Sequence, residues 1–337
     1  MKKMMVCVLA LVWIFTLTAG LTFAEEKQLT IGYVVPYEIG WFAYFIQGFE
    51  LVAEKYGVKT VRMFNNYEPE REIKAVQDLI TTGVDAINIT SPSPDSAQYA
   101  CELANEAKIP IQVTDSHAAE GPGKPIGDVD FEWTKIYVAI INSLRKEVSG
   151  PIKIVSVQGF AGSGPVELGI QGMKQGIDSY DDIELASLQY GDYRIDKSMN
   201  IIQDLLQSGL DFNTVIGSCQ EITEGVIQAF MSEGVDLKDV NIVTVNGGPM
   251  DVENFQKGDI DYGLSISPGV EGMICARNLI AYLKGETYQD KPRVPFVWVN
   301  RDTWEAKIIP WDVDESWMPV VEEFVKTGEF KPELVAK

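Results

Sequence analysis

Short apolar runs alternate with amphipathic stretches along most of the chain. From residue 29 onward the apolar runs read LTIGYVV, KTVRMF, DAINIT, IPIQVTD, IKIVSVQG, IELASLQYG, TVIGSC, NIVTVNG and DYGLSIS. Between them, stretches such as PEREIKAVQDLITTG carry apolar residues at three- and four-residue spacing, which is typical of a helix with one buried face. Strands that alternate with helices of this length predict an α/β protein whose parallel sheets are covered on both faces.

One break in this alternation divides the chain. The fourth unit is followed by HAAEGPGKPIGDVD, a stretch rich in glycine and proline, and the alternation restarts at Ile152. With 337 residues the chain is also long for one such sheet. The pattern therefore predicts two similar α/β lobes.

An aromatic cluster follows the first predicted strand, with four rings in the five residues WFAYF. On a helix that begins near Gly40, steps of about 100° per residue bring most of the large residues onto one apolar face. That face consists of Trp41, Phe42, Phe45, Ile46, Phe49, Val52 and Ala53. We expect Phe45, Ile46 and Phe49 to be core, whereas Trp41 and Phe42 stand on the first turn and are candidates for ligand contact.

The residues that follow each predicted strand are the other candidates for binding, because ligands of open α/β sheets lie beyond the carboxyl ends of the strands. These segments are 36–41, 65–66, 90–91, 115–117, 159–167, 190–194, 219–221, 246–248 and 265–267. They are polar and aromatic, and Arg194 is the single Lys or Arg among them. Thr90 and Gln220 are among their polar side chains, and we expect both to contact a ligand.

The first 24 residues have the features of a signal peptide. Lys2 and Lys3 precede an apolar stretch over residues 4–17, and small or polar residues lead to Ala24. This stretch is too short to span a bilayer, which takes about 20 residues. The sequence predicts cleavage after Ala24 and a soluble periplasmic protein.

Charge and residue counts exclude several classes of function. The net charge is −21, and it becomes −23 without the two lysines of residues 1–24, a segment that holds no acid. Such a surface argues against nucleic acid and anionic lipid as partners. His117 is the single histidine, so a multi-histidine metal site is excluded. We expect no catalysis, no cofactor and no metal, and we expect the protein to be a monomer.

Three cysteines remain after residue 24. Cys101, Cys219 and Cys275 are widely spaced and match no metal motif. They are interpreted either as buried small apolar residues or as one disulfide and one free thiol.

The segments GWFAYFIQGFELVAEKYGVKTV, EREIKAVQDLITTGVDAINITSPSPDSA and ANEAKIPIQVTDS resemble the amino-terminal lobe of ribose-type (type I) periplasmic substrate-binding proteins of ABC importers. VQGFAGSGPVELGIQGMKQGI, NIIQDLL, EGVIQAF and IAYLKGE continue the likeness, which covers roughly residues 29–300. The resemblance implies two Rossmann-like lobes with parallel sheets, joined by a three-strand hinge with crossings near 127–130, 266–268 and 297–301. Lobe one would be 27–127 with 268–297, and lobe two 128–267 with 298–337, the acidic tail forming a helix on lobe two.

The resemblance also assigns some site residues. Trp41 and Phe42 stand where the family stacks aromatics on a sugar, and Tyr193 falls at a second stacking position. Asp115 corresponds to an aspartate that accepts sugar hydroxyls, as an ionised carboxylate can. Asp130 and Trp133 lie at the first crossing. Independently of the resemblance, an aromatic and acidic cage or a sugar site could be formed by Trp41, Phe42, Trp133, Tyr193, Asp115, Asp130 and Glu167.

Three positions depart from the sugar-binding pattern. Glu167 stands in place of an arginine, Asn246 in place of an aspartate, and Cys219 in place of an asparagine. These changes remove a fixed donor and add a carboxylate, so a pentose held as in ribose-binding proteins is not expected.

Three functions remain open at this stage. The first is a protein that closes on a small polar ligand, a sugar or polyol above all, and delivers it to an ABC permease in the inner membrane. The second is a sensory protein for an amine-like ligand, similar to the periplasmic detector of trimethylamine N-oxide, which presents its closed form to a membrane histidine kinase; rings and carboxylates also bind cations. The third is an exported enzyme, for which Asp115 and Glu167 would be the only carboxylate pair.

Overall fold

The computed structural model describes residues 27–335. The predicted signal peptide lies outside these described residues. The strands are β1 (Thr30–Val35), β2 (Lys59–Phe64), β3 (Ala86–Thr90), β4 (Ile111–Thr114), β5 (Gly127–Val129), β6 (Ile152–Gln158), β7 (Ile183–Tyr190), β8 (Thr214–Gly217), β9 (Asn241–Asn246), β10 (Tyr262–Ser265) and β11 (Val297–Asn300). The helices are α1 (Trp41–Lys55), α2 (Pro69–Thr82), α3 (Pro94–Glu106), α4 (Trp133–Glu147), α5 (Gly164–Ile177), α6 (Ile195–Gln207), α7 (Gln220–Ser232), α8 (Pro249–Lys257), α9 (Pro268–Lys284), α10 (Trp304–Lys307) and α11 (Met318–Thr327).

The first sheet has the order β2-β1-β3-β4-β5, and every neighbouring pair is parallel. β3 is buried along its whole length because helices cover both faces of the sheet. Ile31 and Tyr33 of β1 pack toward α1 and α9, whereas Val34 packs toward α2 and α3. The alternating apolar pattern of the sequence thus forms the predicted three-layer lobe.

The second sheet has the order β11-β10-β9-β8-β6-β7. Its strands are parallel except β11, which runs antiparallel to β10. Ile154 belongs to the core that includes α4 and α5, and Val155 to the core that includes α6, α7 and α8. The prediction of an α/β protein with two parallel-sheet lobes is confirmed.

The chain passes between the two sheets several times. It leaves the first sheet after Val129, enters α9 directly after β10, and returns to the second sheet at β11. α9 packs along α1, and glycines allow the close approach: a Cβ on Gly48 would lie 2.0 Å from the Gly269 carbonyl oxygen, and one on Gly272 would lie 2.1 Å from that of Phe45. The two helices are therefore in backbone contact.

The position predicted for the tail helix is wrong. α11 packs against α9, not against the second sheet. Its apolar residues Val321 and Phe324 join the core that contains α1 and α9, and Arg277 of α9 donates from Nε to both carboxylate oxygens of Glu322 at 2.9 and 2.8 Å. α11 packs there because its apolar face is buried against apolar residues of α9.

Within residues 27–335, no helix is long and apolar enough to cross a membrane. All three described cysteines, at positions 101, 219 and 275, are buried free thiols, which selects the first of the two interpretations given above.

Candidate ligand-binding site

The first turn of α1 brings Trp41 to the junction between the lobes. Its ring contacts Phe131 and Trp311 edge-on, with centroids 5.8 and 5.2 Å apart. Phe131 follows the crossing after β5, and Trp311 belongs to the tail. Trp41 is partly buried and thus lies where the first lobe, the crossing and the tail meet.

Phe42, the second predicted ring, is more enclosed. Only 4% of it is exposed, and its ring packs edge-on against Tyr37 and Tyr67 at 5.4 and 6.1 Å. Phe45, Ile46 and Phe49 are buried, as predicted. The aromatic run therefore divides into a first turn at the sheet edge and a core face behind it.

Two tyrosines occupy matching positions after β2 and β7. Tyr67 follows Asn66, and Tyr193 follows Asp192; all four residues have φ between 52° and 58°, in the left-handed region. Desolvation raises the pKa of the Tyr67 hydroxyl well above its usual value, and the nearby Asp115 carboxylate and Tyr193 hydroxyl raise it further. Residues from both lobes therefore converge at this edge.

Asp115 stands directly after β4 with a φ of 55°. Its backbone N–H donates to the Val129 carbonyl at 3.1 Å, which fixes the turn. Burial raises the pKa of its carboxyl to about 6, and a hydrogen-bonding contact with the Glu271 carboxyl opposes this rise. Asp115 therefore lies in a carboxyl pair with Glu271 and presents acceptor oxygens at the end of β4.

Asp130, by contrast, is tied into the crossing. Its Oδ1 accepts from the Phe131 N–H at 2.7 Å and from the Trp133 indole N–H at 3.2 Å, and its Oδ2 lies 3.2 Å from Nε2 of His117. Burial raises the pKa of Asp130, the charge of Asp115 adds to the rise, and His117 opposes it. Asp130 anchors the crossing and adds negative charge beside Asp115.

His117 bridges two carboxylates at this crossing. Nδ1 lies 2.9 Å from Asp128, and this contact raises the pKa of the imidazole. His117, Asp128 and Asp130 are also spaced closely enough to hold a metal ion, each offering one ligand atom within 4.8 Å of the others. Asp128 already pairs with Arg293 at 3.3 Å, however, and both imidazole nitrogens face carboxylates, so the contacts are those of a structural bridge.

Glu271 is a site residue that the sequence did not reveal. It lies on the first turn of α9, it is fully buried, and neither carboxylate oxygen has a partner at full hydrogen-bonding geometry in the described chain. Burial raises its pKa well above the usual range, and the carboxyl groups of Asp115 and Asp130 raise it further, whereas the nearby Trp41 indole lowers it. The Glu271 carboxyl is thus within interaction distance of the Asp115 carboxyl and the Trp41 indole N–H.

The predicted residues of the second lobe are mostly engaged with protein. Glu167 is exposed, and its carboxylate accepts the Gly162 N–H at 3.0 Å within its own loop. Gln220 is buried; its Oε1 accepts the Met250 N–H at 3.0 Å and its amide donates to Glu221 at 3.1 Å. Cys219, the residue before α7, is also buried. Ligand contact by these residues stays a prediction.

Thr90 and Asn246 end strands in the first and second sheet. The Thr90 side chain is 1% exposed, and its hydroxyl has no partner within the described residues. Asn246 has a φ of 106°, which is strained for a residue with a side chain. Its carbonyl accepts from the Ile266 N–H and the Trp311 indole N–H at 3.0 and 3.2 Å, so the strained turn is held from two sides.

Cations near these strand ends are already paired. Salt bridges join Arg194 to Asp196, Lys197 to Asp192 and Arg293 to Asp128. The site thus consists of rings, carboxyl groups and hydroxyls. Such a surface binds a ligand through hydrogen-bond donors or positive charge on the ligand.

Comparison with known proteins gives the family. A family model described as a periplasmic binding protein domain matches residues 31–287. The ribose import binding protein of Salmonella typhimurium is 27% identical over 259 residues, which cover 72% of this chain and 81% of that protein.

Two solved structures have the same fold. One is an ABC transporter solute-binding protein from Bacillus halodurans with bound myo-inositol (TM-score 0.76, 19% identity, 84% of this chain and 98% of that one). The other is the periplasmic component of the arabinose ABC transporter from Shewanella sp. ANA-3, bound to L-arabinofuranose (TM-score 0.76, 24% identity, 87% and 98%). From the family model and the ordered match along both lobes, the chain belongs to the ribose-type periplasmic binding proteins of ABC importers.

Proposed function

We propose that this protein binds a sugar or polyol between its lobes and delivers it to an ABC permease. The observation that carries the proposal is the buried pair of carboxyl groups of Asp115 and Glu271 at the end of β4, with the Trp41 indole beside Glu271. A carboxylate accepts two or more hydroxyl hydrogen bonds, and a ring covers the apolar face of a sugar.

The mechanism follows from the arrangement of the two sheets. A ligand that contacts Asp115 and Trp41 on one lobe and the Tyr193 region on the other stabilises the closed form by its differential affinity for it. The closed form then presents a surface from both lobes to the permease. The relatives, which are named for ribose import and for ABC transport, support this partner and a periplasmic location.

A thermal-shift panel tests the proposal. Neutral pentoses, hexoses, inositols and alditols are added one at a time, and we expect at least one to raise the melting temperature in a concentration-dependent way. A folded protein whose melting temperature responds neither to these ligands nor to their amino-bearing analogues would contradict the proposal. The permease is tested separately, by capture of its membrane subunits with the liganded protein and not with the ligand-free protein.

A further inference from the structure

Glu271 differs from the other buried acids of the described chain. Glu72 accepts from the hydroxyls of Ser91 and Ser96 at 2.7 and 2.6 Å, and Asp251 accepts from Thr244 Oγ1 at 2.7 Å and from two backbone N–H groups. Asp130 is also hydrogen-bonded, as described above. Glu271 alone among these four buried acids has no partner at full hydrogen-bonding geometry within the described chain, and its polar neighbours are the Asp115 carboxyl and the Trp41 indole N–H. A buried polar group without a well-placed partner is costly, so this carboxyl gains most from a ligand that donates to it.

The position of Glu271 indicates where that ligand lies. Ser267 caps α9, and the Glu271 N–H donates to the Ser267 carbonyl at 3.0 Å, so the side chain leaves from the first turn of the helix. There it lies beside the Asp115 carboxyl and the Trp41 indole. Both are residues of the proposed sugar site. Glu271 is therefore part of the same site.

The charges around Glu271 are unbalanced. Asp115 and Asp130 raise its pKa from the ends of β4 and β5, and the histidine beside Asp130, His117, is held between Asp128 and Asp130. The cations near the strand ends are paired elsewhere, as described above. A neutral sugar would supply hydroxyl donors but would leave adjacent carboxyl groups to share protons. An ammonium group supplies three N–H donors and one positive charge to the same oxygens.

We propose that the ligand is a sugar or polyol that carries a protonated amino group, and that Glu271 and Asp115 bind the ammonium. This proposal rests on the proposed function, since it concerns the same cleft. The Trp41 indole N–H lies beside Glu271 and helps to hold that carboxyl in its charged form. Glu271 then acts as the specificity-determining residue for the charged group.

The test compares matched ligands by titration calorimetry. D-glucosamine is compared with D-glucose, D-galactosamine with D-galactose, and an amino-deoxy-inositol with myo-inositol. We expect at least one amino ligand to bind about tenfold or more tighter than its hydroxyl analogue, as one additional charged hydrogen bond implies. N-acetylation, which removes the charge, should abolish that advantage.

The variant Glu271→Gln keeps the shape of the side chain and removes its charge. We expect it to reduce the ratio of amino to neutral affinity to about one, and this ratio is compared because the substitution changes the affinity for both members of a pair. Glu72→Gln is the matched control, because it changes a buried glutamate of the same lobe that is already hydrogen-bonded; it should leave the ratio unchanged. Circular dichroism shows whether each variant folds, and the wild-type ratio decides the proposal even if one does not.

The outcomes separate this proposal from the proposed function. Neutral ligands that bind as tightly as their amino analogues, or a ratio that Glu271→Gln leaves unchanged, would overturn the amino-ligand proposal and leave sugar binding intact. A wild-type protein that binds none of these sugars or polyols, with or without an amino group, would overturn the proposed function as well.

Discussion

At the scale of single residues, the site depends on acidic side chains whose surroundings differ. Asp115 lies beside Glu271, Asp130 is hydrogen-bonded within the crossing, and the buried Glu271 has no partner at full hydrogen-bonding geometry in the described chain. Glu167 makes its hydrogen bond inside its own exposed loop. The residue type alone therefore does not determine the role of a carboxylate; its partners do.

Asp115→Asn should weaken ligand binding by about 10- to 100-fold, because the amide loses the charge and one acceptor position for ligand donors. Its melting temperature should fall by little, since the amide can still hydrogen-bond to the neighbouring Glu271 carboxyl. Calorimetric titration with the ligand identified by the panel measures the first effect, and thermal unfolding the second.

Glu167→Gln is the contrasting variant, with an expected change in affinity below about threefold. A large loss from Glu167→Gln and none from Asp115→Asn would show that the ligand contacts the second-lobe loop instead.

Glu72 should make the stability of the protein depend on pH. Burial raises the pKa of this carboxyl to about 7, although hydrogen bonds from Ser96, Ser91 and Asn65 lower it. As the pH rises above about 4.5, the unfolded chain loses this proton first while the folded chain retains it, so the free energy of unfolding decreases until about pH 7 and then levels off. The decrease attributable to Glu72 is on the order of 3 kcal/mol.

Denaturant unfolding between pH 4.5 and 8 checks this prediction. Glu72→Gln should show a smaller loss of stability across pH 4.5–7 than the wild type, because the amide does not titrate. Parallel curves for the two proteins would contradict the assignment of that pH dependence to Glu72.

The sequence identified some of these residues and missed others for a physical reason. Asp115 directly follows β4, and Trp41 begins α1 after β1. The alternation of apolar runs and amphipathic stretches predicts both positions from the sequence. From the sequence, Glu271 is an ordinary acid in the first turn of a helix, where its negative charge interacts favourably with the helix dipole. Only the packing of α9 against α1 shows that it lies beside Asp115.

At the scale of elements, the contact between α1 and α9 positions the site. Trp41 begins α1 and Glu271 lies in the first turn of α9, so the distance between these helices sets the distance between a ring and a carboxyl group. Gly48 and Gly272 permit that distance, because the backbone of the partner helix occupies the space of a side chain. The sequence predicted both helices, but the pairing of two elements more than 200 residues apart left no local pattern.

Gly272→Ala should destabilise the protein by about 1–3 kcal/mol or more, since its Cβ would meet the Phe45 carbonyl oxygen at 2.1 Å and backbone cannot move aside cheaply. Chemical denaturation measures the loss. We also expect weaker ligand binding in the folded fraction, because the helices must separate.

Gly164→Ala is the control, since a Cβ at this first residue of α5 would meet nothing within 4 Å. It should change stability by less than about 1 kcal/mol. Equal effects of the two substitutions would contradict the importance of close helix packing.

At the scale of the whole molecule, the tail after β11 contacts both lobes. After β11 the chain returns to the first lobe, where Gln47 donates to Asp312 at 2.6 Å and Lys55 pairs with Glu315 at 2.7 Å. Trp311 lies between: its indole N–H donates to the carbonyls of Asn246 and Ile266, and its ring contacts Trp41. Acidity and amphipathicity predicted a tail helix, but they do not specify which lobe it covers.

Trp311→Ala should weaken ligand binding as well as stability. The substitution leaves a cavity in a buried position and removes one hydrogen-bond donor from the carbonyls of Asn246 and Ile266, which together cost about 3–5 kcal/mol. It also removes a ring that packs against Trp41, so the affinity should fall by about tenfold or more. Thermal unfolding and calorimetric titration measure the two effects.

Trp304→Ala serves as the comparison, because Trp304 stacks on Phe255 with ring centroids 5.9 Å apart and packs against the core of the second lobe. It should reduce stability and leave the affinity of the folded protein near that of the wild type. An equal loss of affinity in both variants would contradict a specific role for Trp311.

The central claim is that the cleft between the lobes holds one sugar or polyol. Titration calorimetry tests it most directly. The protein is first unfolded and refolded to remove any bound ligand, and neutral and amino-bearing sugars and polyols are then titrated into it one at a time. We predict one saturable site per chain for at least one of them, with a Kd in the micromolar range or below. Refolded protein that retains its secondary structure and gives no binding heat with any of these ligands would contradict the account.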